Sequence, residues 1–142
     1  MIAAYLDSSV VLRIITRAPN PLPEWNTLSF GVSSQLLRVE CFRTIERMWR
    51  QHELSEEELE AKRTAITGML RNIELREINP EIARAADPFP TYVDTLDAIH
   101  LATALAYRRA QRDDGPILFA THDRQLAKAA TALHFDVIGL AA

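Results

Sequence analysis

Four acidic residues spread along the 142-residue sequence, Asp7, Glu40, Asp97 and Asp123, have the chemistry to share one task. Like charges at close range repel, so some members of a gathered set would keep their protons at neutral pH unless a cation offset them. Hard oxygen donors with no His or Cys cluster beside them suit Mg²⁺ or Mn²⁺ rather than Zn²⁺. One or two such ions lower the pKa of a bound water and stabilise the charge of an in-line phosphoryl displacement. Asp7, Glu40, Asp97 and Asp123 are therefore the candidate catalytic and metal-ligating set.

Each acid also has a plainer reading. Asp7 and Asp123 follow short apolar runs, where an Asp is a common helix cap. Ser8 or Thr121 could cap equally well and leave both aspartates free. Asp97 lies in Leu96-Asp97-Ala98-Ile99-His100-Leu101-Ala102-Thr103-Ala104-Leu105, a helix apolar on most sides and expected to be largely buried. An ionised carboxylate there is costly unless a cation or donors compensate it. Asp94, three residues earlier, is the better helix cap. Glu40 borders the apolar stripe Leu37, Cys41, Ile45 and Met48, and alone it reads as a surface Glu paired with Arg43, worth about 0.3 kcal/mol.

The elements that must position these acids alternate in type. Strands are expected at Ile2 to Leu6, Leu28 to Val32, Ile73 to Ile78, Ile117 to Ala120 and Phe135 to Leu140. Helices are expected from Val10 to Thr16, Gln35 to Gln51, Ser55 to Leu70, a short one begun by Pro80, Thr95 to Gln111, and one from His122 to about Leu133. Ser33-Ser34 caps the second helix, Ser55 and Glu58 form a capping box, and Asn79 caps the helix at Pro80. Arg17 to Thr27, with three prolines, reads as a loop, Asp87 to Pro90 as a break, and Asp113 to Pro116 as a turn. Strands alternating with helices imply an α/β fold with a parallel sheet and helices on both faces. Ligands in such sheets bind beyond the carboxyl ends of the strands, where Asp7 and Asp123 fall.

Bulk properties agree with one globular domain, residues 1–142. Charged residues make up 25% and the net charge is −3, which excludes a generic polyanion binder. Of sixteen basic residues only Lys62 and Lys128 are lysines. Arginine's planar fork matches phosphate oxygens, although compositional bias explains the excess equally well. A single cysteine, Cys41, cannot form an internal disulfide and sits on an apolar stripe. No signal peptide or membrane-length apolar run is present, and a cytoplasmic location is expected. His100 is expected to be packed or hydrogen-bonded within its helix, and His122 to be exposed. Met48 and Trp49 are expected to pack in the core or a dimer, and Glu56-Glu57-Glu58 to form a solvated first turn.

These residues carry a resemblance to the PIN-domain ribonucleases, and within them to VapC-type toxins of bacterial toxin–antitoxin pairs. Tyr5-Leu6-Asp7-Ser8-Ser9 is similar to the family's opening motif, Arg13 falls where a Lys or Arg is frequent, and Glu40 matches the second acid. The run Leu96 to Ala104 matches the third motif and Thr121-His122-Asp123 the fourth. Ser9 departs from the Asn found in many members, although Ser is also common there. The resemblance covers nearly the whole chain. It implies a three-layer α/β/α sandwich, a mainly parallel five-stranded sheet ordered 3-2-1-4-5, a homodimer, a cognate VapB-type antitoxin, and Mg²⁺-dependent cleavage of RNA with Mn²⁺ as a substitute. It implies Asp7 and Asp97 as principal metal ligands, Asp123 as a ligand directly or through water, and Glu40 as holder of a metal water or as base. It implies Thr121 and Ser8 as orienting hydroxyls. Arg13, Arg43 and Arg47 are the arginines expected to meet phosphate or antitoxin.

Rival readings fit less well. A haloacid-dehalogenase-like phosphatase needs a second Asp two residues after Asp7, where Ser9 stands. A response-regulator receiver needs its acceptor Asp after the third strand, and Ile78-Asn79-Pro80 offers none. A non-catalytic RNA- or protein-binding module and a housekeeping RNA-processing nuclease remain the alternatives to a toxin.

Overall fold

A computed structural model describes residues 3–111 and 116–140. Ile2 and the Asp113-Asp114-Gly115 part of the expected turn lie outside the described residues. Five strands, β1 (Ala3–Leu6), β2 (Phe30–Ser34), β3 (Ile73–Arg76), β4 (Ile117–Ala120) and β5 (Asp136–Ile138), form one sheet in the order β3-β2-β1-β4-β5. Every neighbouring pair is parallel. Among the described residues six α-helices connect them: α1 (Ser8–Ile15), α2 (Gln35–Arg50), α3 (Glu56–Leu70), α4 (Pro80–Ala86), α5 (Thr95–Ala110) and α6 (Arg124–Ala132). The expected three-layer α/β/α fold with sheet order 3-2-1-4-5 is the observed one.

Side chains alternate across the sheet and build two cores. Ala4 and Leu6 of β1 join Val10, Val11, Leu37, Cys41, Ile45, Leu59 and Ile66 from α1, α2 and α3 on one face. Tyr5 points the other way, to Leu101, Ala104, Leu126 and Ala130 of α5 and α6. A central parallel strand is covered on both sides and so reads as a continuous apolar run. Strand β3 is an edge, with the half-exposed alternation its sequence shows.

Of the two candidate caps at the first strand–helix junction, Asp7 and Ser8, it is Asp7 that caps α1, and the helix begins two residues earlier than expected, at Ser8. Strand β2 lies two residues later than expected, because Ser33 and Ser34 pair with Leu75 and Arg76 in the ladder. Ser33 satisfies its buried hydroxyl by donating to the Leu6 carbonyl at 2.7 Å. Ser34 ends the strand and caps α2. A three-residue 3-10 helix, Trp25–Thr27, closes the proline-containing loop. The Ser55–Glu58 capping box and the Asn79 and Asp94 caps form as expected. Trp49 is exposed at the end of α2. Among the described residues no helix is long and apolar enough to cross a membrane.

Candidate acidic metal centre

The parallel topology sends the ends of β1 and β4 to the same edge, with Leu6 opposite Ala120. Asp7 follows β1 directly, and its backbone N–H donates to the Ala120 carbonyl at 3.0 Å. One carboxylate oxygen, Oδ2, collects three donors: Ser9 Oγ at 2.6 Å, Thr121 Oγ1 at 2.9 Å, and more weakly the Ser9 N–H at 3.4 Å. Both hydroxyls then accept from the β4–α6 turn, Ser9 Oγ from the His122 N–H at 2.9 Å and Thr121 Oγ1 from the Asp123 N–H at 3.0 Å. Asp7 is therefore fixed to the turn that carries Asp123. Its other oxygen, Oδ1, lies 4.0 Å from His100 Nε2.

Asp123 caps α6 through Oδ1, which accepts from the Gln125 and Leu126 N–H groups at 2.8 and 3.1 Å. Of the two candidate caps for this helix, Asp123 is the one used, and the Thr121 hydroxyl serves Asp7 instead. Capping uses one oxygen of a carboxylate, so a helix cap and a metal ligand are compatible roles for one Asp.

Asp97 stands in the first turn of α5, where its N–H donates to the Asp94 cap at 2.9 Å. The carboxyl is half-buried, short of the full burial its apolar neighbours suggested, and Leu96 beside it is exposed. Burial, followed by the charges of Asp7, Asp94 and Asp123, raises its pKa to about 7. The acids are therefore close enough to feel one another across three elements.

Glu40 does not pair with Arg43. Its Oε1 meets His100 Nε2 at 2.7 Å, and His100 Nδ1 meets the Tyr5 hydroxyl at 2.7 Å. His100 is fully buried, as its packed position in α5 suggested. Burial pulls its pKa down, but the Glu40 bond and the charges of Asp7, Glu40 and Asp97 outweigh that and raise it overall. Arg43 and Arg47 are exposed on the same side of α2. Arg13 donates to the Asn20 carbonyl at 3.1 Å, bracing the loop after α1. Ser8 is half-buried, and the orienting hydroxyl nearest Asp7 is Ser9, which sequence reading had passed over.

His122 was expected to be exposed; it is half-buried, with Nδ1 2.6 Å from the Gly139 carbonyl. Pairing of β4 with β5 brings Gly139 back beside the turn, at φ +108°, where a Cβ would strike the Thr121 backbone.

Among the described residues no group of three or more His, Cys, Asp or Glu side chains is gathered as a ready metal cage. The donor chemistry still fits Mg²⁺, which binds through one or two carboxylates and keeps several waters. Asp7 Oδ1 and the Asp97 carboxyl, which makes no hydrogen bond among the described residues, supply such oxygens.

A parallel 3-2-1-4-5 sheet with Asp7 and Asp123 just beyond the ends of two neighbouring strands defines a class of protein. Residues 4–132 match the PIN domain, and the chain belongs to that family. No characterised protein sequence matches the chain. Among solved structures it is similar to a chain of VapBC2 from Rickettsia felis, solved bound to a DNA fragment from its promoter. That similarity has a TM-score of 0.66 and 11% identity, and covers 98% of each chain. At that identity the likeness speaks for the fold.

Proposed function

We propose that this chain is a Mg²⁺-dependent endoribonuclease acting as the toxin of a toxin–antitoxin pair. The observation that carries the reading is the PIN-domain match over residues 4–132 together with Asp7 at the end of β1, whose Oδ2 takes three donors and leaves Oδ1 uncommitted. A bound cation would offset the charges of Asp7 and the acids around it. PIN domains are typically metal-dependent nucleases. Asp7 and Asp97 would hold the ion, with Asp123 reaching it directly or through a water, and Mn²⁺ would serve as a substitute. Bound there, the ion supplies charge stabilisation for phosphodiester hydrolysis and acidifies water.

The chain's own residues do the rest. Ser9 and Thr121 hold Asp7 Oδ2, so that Oδ1 alone is presented. Glu40, half-buried on α2, would accept a proton as general base. Ser8 orients phosphate or water beside them. Arg43, exposed on α2, would meet backbone phosphates, and Arg13 would do so on giving up its bond to the Asn20 carbonyl. A VapB-type antitoxin partner is supported by the VapBC2 complex in which the similar chain was solved, and a homodimer completes the proposal.

The test is expression of wild type, Asp7→Asn and Asp97→Asn in a bacterium, with RNA cleavage assayed in vitro. Wild type is expected to arrest growth and to cut RNA in a reaction that EDTA abolishes, and both variants to be silent. Undiminished cleavage by both variants overturns the acidic site. A wild type that cuts no RNA with Mg²⁺ or Mn²⁺ favours a non-catalytic binding module, and cleavage without growth arrest favours a housekeeping nuclease.

A further inference from the structure

Tyr5, His100 and Glu40 form a polar line from the middle of the sheet toward Asp7. The Tyr5 hydroxyl and the His100 ring are both fully buried. The line runs Tyr5 Oη to Nδ1, 2.7 Å, and Nε2 to Glu40 Oε1, 2.7 Å. Nε2 also lies 4.0 Å from Asp7 Oδ1, between the first and second acids of the site.

Hydrogen-bond chemistry assigns the protons along this line. A carboxylate only accepts, so the contact with Glu40 needs a hydrogen on Nε2. In the neutral ring Nδ1 is then an acceptor, and it requires a donor. Tyr5 is that donor. The neighbouring hydroxyls of Ser33 and Thr103 direct their protons to the carbonyls of Leu6 and Ile99. A buried phenol keeps its proton, and burial raises the Tyr5 pKa further. Tyr5 therefore sets the tautomer of His100, and His100 sets the position of Glu40.

The consequence falls on Glu40. A free glutamate on a helix surface spreads over many rotamers. Here Oε1 is tied to a ring that is itself locked in the core, and Oε2 is left without a hydrogen bond among the described residues. The same bond takes Glu40 away from Arg43, its neighbour on α2.

We infer that Tyr5 and His100 are positioning residues, a buried relay that holds Glu40 in one orientation for its role at the acidic centre.

The kinetic arm of the test rests on the nuclease reading; the spectroscopic arm does not. In ¹⁵N-labelled protein without added metal, at a pH above the raised pKa of the ring, His100 is expected to show a protonated Nε2 and an unprotonated Nδ1, and Glu40→Ala is expected to move both resonances. A hydrogen on Nδ1 instead, or resonances unmoved by Glu40→Ala, overturns the relay whether or not RNA is cut. In cleavage assays His100→Ala and Glu40→Gln are each expected to lower kcat by about 100-fold, and Tyr5→Phe by about tenfold, with KM for RNA within about twofold. The double variant His100→Ala/Glu40→Gln should be no slower than Glu40→Gln alone, since both remove one interaction. His100→Gln, whose amide offers an N–H toward Glu40, should retain more activity than His100→Ala. Multiplying losses in the double variant overturn the inference. Should His100→Ala fail to fold, Tyr5→Phe with Glu40→Gln makes the same cycle by deleting a single hydroxyl. A wild type that cuts no RNA while the ring signature stands sinks the nuclease reading and leaves the relay intact.

Discussion

The Thr121 hydroxyl lies 2.9 Å from Asp7 Oδ2, joining residues 114 positions apart. Two parallel strands end side by side, and this bond ties the acid of one to the turn of the other. Ser9 repeats the device from the other side of Asp7, at 2.6 Å. An Asp so held has one oxygen committed and one left over.

Removing either hydroxyl should loosen that arrangement. Thr121→Val keeps the shape but leaves the Asp123 N–H without its acceptor and takes from Asp7 one of its three donors. A loss of about 1–3 kcal/mol is expected in urea unfolding, with Ser9→Ala at the lower end. Thr121→Ser, which keeps the hydroxyl, should restore most of it.

Asp97 makes stability depend on pH. Its usual carboxylate pKa of 3.8 is raised to about 7 in the folded chain. Between those values the unfolded chain has released the proton that the folded chain retains. The stabilising contribution of neutral Asp97 is therefore full below about pH 4 and is lost as pH rises through 7. Allowing for the carboxyl's half exposure, the change is about 1–2 kcal/mol in metal-free protein. Asp97→Asn should flatten this part of the pH profile, as read by thermal melts from pH 4 to 8.

Gly139 is a backbone requirement. Its φ of +108° disfavours any side chain, and a Cβ there would strike the Thr121 carbonyl. Gly139→Ala is expected to cost about 2–4 kcal/mol and to free His122 Nδ1 from its carbonyl partner. Retention of the wild-type Tm would remove the strain argument.

Cys41 should be inert in the native state. It is fully buried, and burial, followed by the charges of Glu40 and Asp7, pushes its thiol up to about 12. Iodoacetamide at pH 8 is expected to leave folded protein unmodified and to alkylate it fully in denaturant.

Arg43 and Arg47 test the path of the substrate. Each is exposed on α2 on the side of Glu40. If they contact RNA phosphates, replacing each with Ala should weaken RNA binding across sequences and lower the salt slope of log K by about 0.7–1. An unchanged slope would move the RNA to another face.

Much of this molecule is legible in its residues because the signals are local. Apolar runs of four or five residues between capped helices are the signature of a parallel sheet, and Ser55 with Glu58, Asn79 with Pro80, and Asp94 mark helix starts where they occur. Local chemistry also separates the strand-end acids Asp7 and Asp123 from the surface glutamates of α3. The boundaries that shifted did so where tertiary contacts override pattern. Ser33 looks like part of a cap, but a buried serine that donates to Leu6 across the sheet sits comfortably in a strand.

The partnerships of the site were decided only by the fold. Sequence alone offers Glu40 an obvious partner four or fewer residues away, Arg43, because helix neighbours are all that spacing reveals. Its actual partner, His100, is 60 positions away on another helix. Ser9 looked like a departure from a motif until β1 and β4 came together and placed it between Asp7 and the His122 N–H. The four acids and their order along the chain are properties of the sequence. That one oxygen of Asp7 is tied, that Glu40 is held by a buried ring, and that the pKa of Asp97 is raised follow from distances and burial that exist only once the sheet has closed.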